Sequence, residues 1–368
     1  MWTFSKHKEW EALANQYPEI RDMHGVPQDA RHHAEGDVAT HTQLVLKELT
    51  NALEYQHLAA EDQEILWTAA LLHDVEKRST TLIEADGSIT SRGHARRGET
   101  TVRQLLYRNR PTPFAIREQI ANLVRYHDVP FWIFDKQDFL KTLLQVSLEV
   151  NTEWLAMLAR ANARGRISAN QTELLRRIDL FEACCRENQC WGVPRTFSSG
   201  LSRFWFFHTD TTDPNYEPAD DSVCEVILMS GLPGAGKDTY INRHLADWHM
   251  ISLDGYRRKL NIDPTDQEGN SYVVYLAKEE AKSLLRKQIS FVWNATNLTR
   301  LTRQQLIDLF VPYGARIRLI YLEVPYQRLL HQNRNREYVV PRAAHQRMIS
   351  RLEAPAIWEA HSVQYELH

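Results

Sequence analysis

The chain has 368 residues, enough for two domains with separate cores, and its 43% hydrophobic and 25% charged residues are ordinary for a globular protein. A formal net charge of −3 provides no global attraction for nucleic acid, so such a partner would have to be met by local arginines. No apolar run approaches the roughly 18 residues that span a bilayer, and MWTFSKHKEW lacks the apolar stretch of a signal peptide.

The expectation is therefore a cytoplasmic protein with no membrane partner. Cys184, Cys185, Cys190 and Cys224 match neither a zinc spacing nor a disulfide framework and read as free thiols. From about residue 5 to 190 the pattern is helical. Thr42–Leu53, Glu61–Leu72 and Phe139–Ala161 repeat apolar residues at three- and four-residue intervals. Asp62 to Glu64 look like a helix entry, and Gly93 and Gly165 like breaks.

Within this half His41, His73, Asp74, His94 and His127 stand out. His41 follows Asp37 by four residues at a helix start, and His73-Asp74 closes the apolar helix Ile65–Leu72. Imidazole and carboxylate groups drawn from several helices suit a divalent metal, which in turn suits attack of water on phosphorus. Spacing alone leaves capping or surface histidines open. Arg96, Arg97, Arg103, Arg108 and Arg110 crowd one segment, fitting a solvated face or phosphate contacts equally.

HTDTTDPNYEPADDS (208–222) holds two prolines and several acidic residues with little apolar content, so it reads as a linker. The expected division is a helical domain over 1–207, this linker over 208–222 and an α/β domain over 223–368. In the last, short apolar strands Val226–Met229, Ile251–Leu253, Phe291–Trp293 and Ile317–Val324 alternate with helical stretches, the pattern of a small parallel sheet wrapped by helices.

GLPGAGKDT (231–239) follows the first of these strands and precedes a helix. Gly231, Gly234, Ala235 and Gly236 let backbone N–H groups turn onto phosphate oxygens, and Lys237 neutralises charge near the β/γ bridge. The usual hydroxyl after the lysine is replaced by Asp238, with Thr239 next; a carboxylate there either holds Mg²⁺ or repels the triphosphate. Asp254, at the end of the expected strand ISLD, is a candidate base for an attacking hydroxyl, and Arg257 a phosphate grip. Thr296 and Asn297 are candidates to orient the acceptor. Arg334 and Arg336, in RLLHQNRNREYVVPRAAHQRM (328–348), are candidate lid arginines, with Arg336 favoured.

The ordered segments HHAEGDVATH (32–41), LLHDVEK (71–77), GHARRGE (93–99) and RYHDVP (125–130) resemble the motifs of HD-domain metal phosphohydrolases, especially the HD modules of tRNA nucleotidyltransferases. The resemblance covers about residues 20–190 and implies metal ligation by His41, His73, Asp74, His94 and His127, with His33, Glu35 and Asp37 nearby. Asn162, in LARANARGR (158–166), stands where such proteins carry a late aspartate. A histidine-rich set with one firm carboxylate favours Mn, Co, Ni or Cu over Mg.

GLPGAGKDT, LDGYR (253–257), NATN (294–297) and the lid segment RNREYVVP (334–341) resemble, in that order, the phage and bacterial 5′-OH polynucleotide kinases over residues 223–368. The resemblance implies Lys237 on the β/γ-phosphates, Asp254 as general base, Arg257 on the phosphate beside the 5′ end and Arg336 in the lid. Asn294 stands where many relatives have aspartate. The whole chain resembles bacterial bifunctional end-healing enzymes. These use Mg²⁺ with an NTP donor, a transition metal in the HD half and RNA or DNA ends as substrates, with a ligase acting downstream. Two alternatives remain: a nucleotide phosphohydrolase fused to a small-metabolite kinase, and a nucleotide-sensing protein whose catalytic halves have decayed.

Overall fold

Asp37 caps the Val38–Asn51 helix by accepting the Thr40 N–H at 2.8 Å, which sets His41 one turn inside the helix and buried. The Ala60–Leu72 helix is buried at every position from Glu64 to Leu72. Its pattern is apolar all round because other helices enclose it, including Val38–Asn51, Phe114–Tyr126 and Thr152–Gly165. It ends at His73, so the His73-Asp74 pair emerges in the middle of the helical unit. The computed structural model describes residues 1–368, which divide into two units, Met1–Thr196 and Phe197–His368.

The first unit departs from the sequence pattern in two places. The Ala60–Leu72 helix begins one residue earlier than expected, with no side-chain cap at Ala59. The expected helix over 139–161 is two helices, Phe139–Glu149 and Thr152–Gly165. Val150 is extended, and the Asn151 side chain accepts the N–H groups of Glu153 and Trp154 to start the second. A short antiparallel hairpin, β1 (Leu82–Ile83) and β2 (Ile89–Thr90), leads to the His94–Gln104 helix, which Gly93 opens at φ +79°. The arginines of this region are largely structural: Arg103 is buried against Glu99 and Glu118, and Arg110 donates to the Thr3 carbonyl.

The second unit is built on β3 (Cys224–Ser230), β4 (His249–Ser252), β5 (Phe291–Asn294), β6 (Ala315–Glu323) and β7 (Ser362–Leu367). They form one parallel sheet in the order β4–β5–β3–β6–β7. β3, with neighbours on both sides, is buried almost throughout, which is why its sequence is a continuous apolar run. The chain passes to one side of β3 through β4 and β5 and to the other through β6, so the crevice at the carboxyl end of β3 is where a ligand binds in such sheets.

The strand over Ile251–Leu253 stops at Ser252, whose side chain caps a new helix, Leu253–Leu260, by accepting the Gly255 N–H. Asp254 therefore sits in a helical first turn instead of closing a strand. The unit boundary also differs from the expected 207. The Gly200–His208 helix belongs to the second unit, because Phe204 stacks on His361 at 3.9 Å and Phe207 lies 5.7 Å from Trp358. Residues 209–223 form no helix or strand.

Candidate functional site

In the helical unit three histidines share one arrangement. His73 Nδ1 donates to the Ala70 carbonyl at 2.7 Å, His94 Nδ1 to Ser91 at 2.8 Å and His127 Nδ1 to Val124 at 2.8 Å. Each bond runs to the residue three positions earlier, fixes the tautomer and turns Nε2 inward. The three Nε2 atoms converge on Asp74: His73 at 3.2 Å from Oδ2, and His94 and His127 at 3.2 and 3.7 Å from Oδ1. His41 Nε2 completes the ring at 3.8 Å from Asp74 Oδ2. The structure thus brings together all five residues expected to bind metal.

Further groups extend the cluster. Glu35 Oε1 bridges His33 Nδ1 at 2.8 Å and His41 Nδ1 at 2.7 Å, the second contact lying off the angle of a hydrogen bond. Asp37 stays outside as a helix cap. Asn162 is fully buried with Oδ1 3.1 Å from His41 Nε2, so the amide occupies the place of the late aspartate. Sequence reasoning missed Asp128, which lies 3.1 Å from His127 Nε2 and 3.6 Å from His94 Nε2. The signal was a second His-Asp pair at 127–128 repeating that at 73–74. Lys77, 2.8 Å from Asp74 Oδ2, and Arg166, 3.3 Å from Asp128 Oδ1, were also missed.

Burial works against ionised Asp74 and Asp128, yet the surrounding cations outweigh it and hold both well below the usual carboxylate range. Lys77 leads for Asp74 and His127 for Asp128. Burial pushes His73 down and takes His41 down to about 3, which keeps both imidazoles neutral as metal ligands require. His94 goes the other way: burial opposes its charge, but Asp128 and Asp74 push it up to about 10.

The donor set fits a divalent metal. Ligand atoms of His41, His73 and Asp74 lie within 4.8 Å of one another, as do those of Asp74, His94 and His127. His73 Nε2 and Asp74 Oδ1 are buried without a well-directed hydrogen bond, whereas Asp74 Oδ2 meets Lys77. Such orphaned groups cost about 1–3 kcal/mol each, and a cation facing them removes that cost.

In the second unit the phosphate loop joins β3 to the Lys237–His244 helix. Gly231 at φ +144° and Gly236 at φ +99° adopt backbone that side-chain-bearing residues avoid. A Cβ on Gly231 would meet the Leu322 carbonyl oxygen at 2.5 Å. Lys237 Nζ donates to the carbonyls of Gly231 and Leu232 at 2.8 and 3.0 Å, so it is folded over the loop. Burial takes its pKa down to about 8, against the pull of Asp238 and Asp254.

Of the lid candidates, the charge of Arg336 acts on Lys237, whereas Arg334 is an exposed residue ending the Tyr326–Arg334 helix. Asn333 fastens the segment carrying Arg336, donating to the Val340 carbonyl at 2.9 Å and accepting its N–H at 3.2 Å. The following helix, Arg342–Ile349, reaches the loop through His345 Nε2, 3.2 Å from the Pro233 carbonyl.

On the acceptor side Arg257 Nη1 lies 2.5 Å from Asp254 Oδ1, and Asn270 Oδ1 accepts from Arg257 Nε at 2.6 Å. Asn297 is not an acceptor residue: it is buried, at φ +41°, with Nδ2 donating to the Met229 carbonyl at 2.7 Å. Its side chain ties the turn after β5 to β3. Thr296 contributes its carbonyl, which accepts the Gly231 N–H at 2.9 Å and so supports the loop.

Residues 38–182 match the family model of the HD domain, and residues 226–355 match that of an AAA domain. A helical domain matching the HD model is thus followed by an α/β domain with a phosphate loop and a five-stranded parallel sheet that matches the AAA model. A multifunctional CCA protein of Nitrosococcus oceani is 32% identical over 163 residues, 42% of this chain and 36% of that protein. Another, of Methylococcus capsulatus, is 34% identical over 124 residues, 34% of this chain and 26% of that protein. The chain thus spans between about a quarter and a third of the length of these curated relatives. Among solved structures, a sugar kinase from Janibacter sp. shares 20% identity at a TM-score of 0.32, covering 39% of this chain and 85% of its own. No helix is long and apolar enough to cross a membrane.

Proposed function

We propose that the chain heals broken nucleic-acid ends. The kinase-like half phosphorylates a 5′-OH polynucleotide end, and the HD half removes 2′,3′-cyclic, 2′- or 3′-phosphate. The products, 5′-phosphate and 3′-OH, are the ends a ligase joins. The observation that carries this reading is the Asp254–Arg257 pair, 2.5 Å apart, whose carboxylate acts electrostatically on the lysine of the phosphate loop. It offers an acceptor hydroxyl a proton-accepting carboxylate together with an arginine matched to an adjoining phosphate.

In the kinase half Lys237 exchanges the loop carbonyls for NTP phosphate oxygens, Arg336 supplies positive charge from the lid, and Asp254 takes the hydroxyl proton during in-line transfer. In the HD half His41, His73, Asp74, His94 and His127 would hold a transition metal (Mn, Ni, Co or Cu) that supplies Lewis acidity at the phosphate. Glu35 and Asn162 orient His41, and the carbonyls of Ala70, Ser91 and Val124 hold the other imidazoles. Neither half carries a base-reading module, so contacts to phosphate and sugar dominate and binding weakens with salt.

The test is an RNA with 5′-OH and 2′,3′-cyclic phosphate ends, incubated with NTP, Mg²⁺ and Mn²⁺. Lys237→Ala loses only 5′ phosphorylation and Asp74→Ala only 3′-end hydrolysis. Turnover of mononucleotides or small metabolites with both RNA ends intact would overturn the reading.

A further inference from the structure

Two departures from the usual phosphate-loop pattern meet in space. The position after the loop lysine, ordinarily a hydroxyl that binds Mg²⁺, is Asp238, and the strand end beside the loop, where such folds place a Mg²⁺-linked aspartate, is Asn294. Separated by 56 positions, they are joined directly: Asn294 Nδ2 donates to Asp238 Oδ1 at 2.7 Å. Asn294 is buried at the end of β5, and the Asp238 side chain is exposed in the first turn of the helix after the loop.

The geometry points to an exchange of roles. We propose that the carboxylate of Asp238, held by the amide of Asn294, binds the cation of the NTP in place of the usual hydroxyl-and-aspartate pair. The local charge count is preserved, since one carboxylate has moved from the strand to the loop and one uncharged hydrogen-bonding group has moved the other way. Two carboxylates at these positions would repel each other, and two neutral groups would leave the cation without an anionic protein partner. Only Oδ1 of Asp238 is engaged by Asn294, and no hydrogen bond occupies Oδ2, which leaves a hard oxygen donor for a cation.

Position also changes the effect on the nucleotide. Asp238 adjoins Lys237 at the end of the loop, so without a cation its charge opposes that of the triphosphate. NTP binding in this chain is accordingly tied to the divalent cation more tightly than a hydroxyl at this position would make it. The inference rests on the reading of residues 231–239 as an NTP site, and the experiment separates the two.

The affinity of the full-length protein for ATP is measured by calorimetry with Mg²⁺ and with chelator, and Mn²⁺·ATP complexes are followed by electron paramagnetic resonance. The proteins compared are wild type, Asp238→Asn, Asp238→Thr, Asn294→Asp and Asp238→Thr/Asn294→Asp. The expected result is that each single change weakens Mg²⁺·ATP binding by roughly tenfold or more and alters the Mn²⁺ spectrum. The double exchange restores affinity, and Asp238→Asn binds metal-free ATP better than wild type does. Because Asp238 is exposed, its variants stay informative even if Asn294→Asp folds poorly. Unchanged Mg²⁺·ATP affinity and Mn²⁺ spectrum in both Asp238 variants would overturn the inference while leaving the NTP site standing. Failure of wild type to bind ATP would overturn both.

Discussion

The Nε2 atoms of His94 and His127 lie 3.4 Å apart, with Asp74 Oδ1 3.2 Å from the first. Both rings have committed Nδ1–H to a backbone carbonyl, so the two inward nitrogens approach this closely only with a proton or a cation between them. Asp74 is the anion that makes a cation acceptable there, and the fold holds it rigidly at the end of a buried helix.

Removing that anion has two separable effects. Asp74→Ala lowers divalent metal affinity by about a hundredfold or more, read as metal retained after dialysis. It also leaves Lys77, itself buried, with Gln28 but without its carboxylate, so the metal-free protein loses about 3 kcal/mol by urea unfolding. A variant that keeps its full metal content would remove Asp74 from the ligand set.

Asp254 and Arg257 separate chemistry from binding. Asp254→Asn keeps the shape and NTP affinity but removes the proton acceptor, so kcat for 5′ phosphorylation falls about 10²–10⁴-fold. Arg257→Ala raises KM for an acceptor that carries a phosphate beside its 5′-OH and changes KM little for a nucleoside. Steady-state kinetics on the two acceptors check both outcomes, and equal KM effects would take the phosphate-gripping role from Arg257.

The loop depends on Gly231 for its backbone. Gly231→Ala forces a side-chain-bearing residue to φ +144° and sets its Cβ 2.5 Å from the Leu322 carbonyl oxygen. Strain and overlap together cost the second unit about 3 kcal/mol, and the loop displacement lowers ATP affinity. Unfolding curves and ATP calorimetry check this; wild-type values in both would show that the loop relaxes freely.

Much of this was legible because the chemistry is local in sequence. His73-Asp74, His94 and His127 lie at helix ends, and the phosphate loop is continuous from Gly231 to Thr239. What was not legible depended on distant segments. Asp128, whose local His-Asp signal was passed over, meets His94 across the site, and Arg166 reaches it from the end of the Thr152–Gly165 helix. β7 was missed because SVQYEL has no apolar run: it pairs only with β6 and is half-buried at most positions. Asn297 looked like an acceptor residue, since nothing in NATN reveals that its side chain turns back to Met229. The Asp238–Asn294 bond was equally hidden, each residue reading as an isolated oddity.

His361 makes the second unit sensitive to mild acid. It is buried, its ring stacks on Phe204, and its Nδ1 accepts the Ile317 N–H at 3.1 Å, a bond only the unprotonated nitrogen makes. Burial, reinforced by Arg316 and His208, takes its pKa down to about 4. The unfolded chain binds this proton more readily, near the ordinary histidine value of about 6.5. Stability from the neutral ring is therefore complete above that value, is lost as pH falls toward 4, and changes no further below it. Between pH 7.5 and 5.0 this amounts to about 2 kcal/mol. His361→Gln keeps an acceptor without the titration, so its urea midpoint for the second unit falls less over that interval than that of wild type. Equal falls in the two proteins would assign the acid sensitivity to other groups.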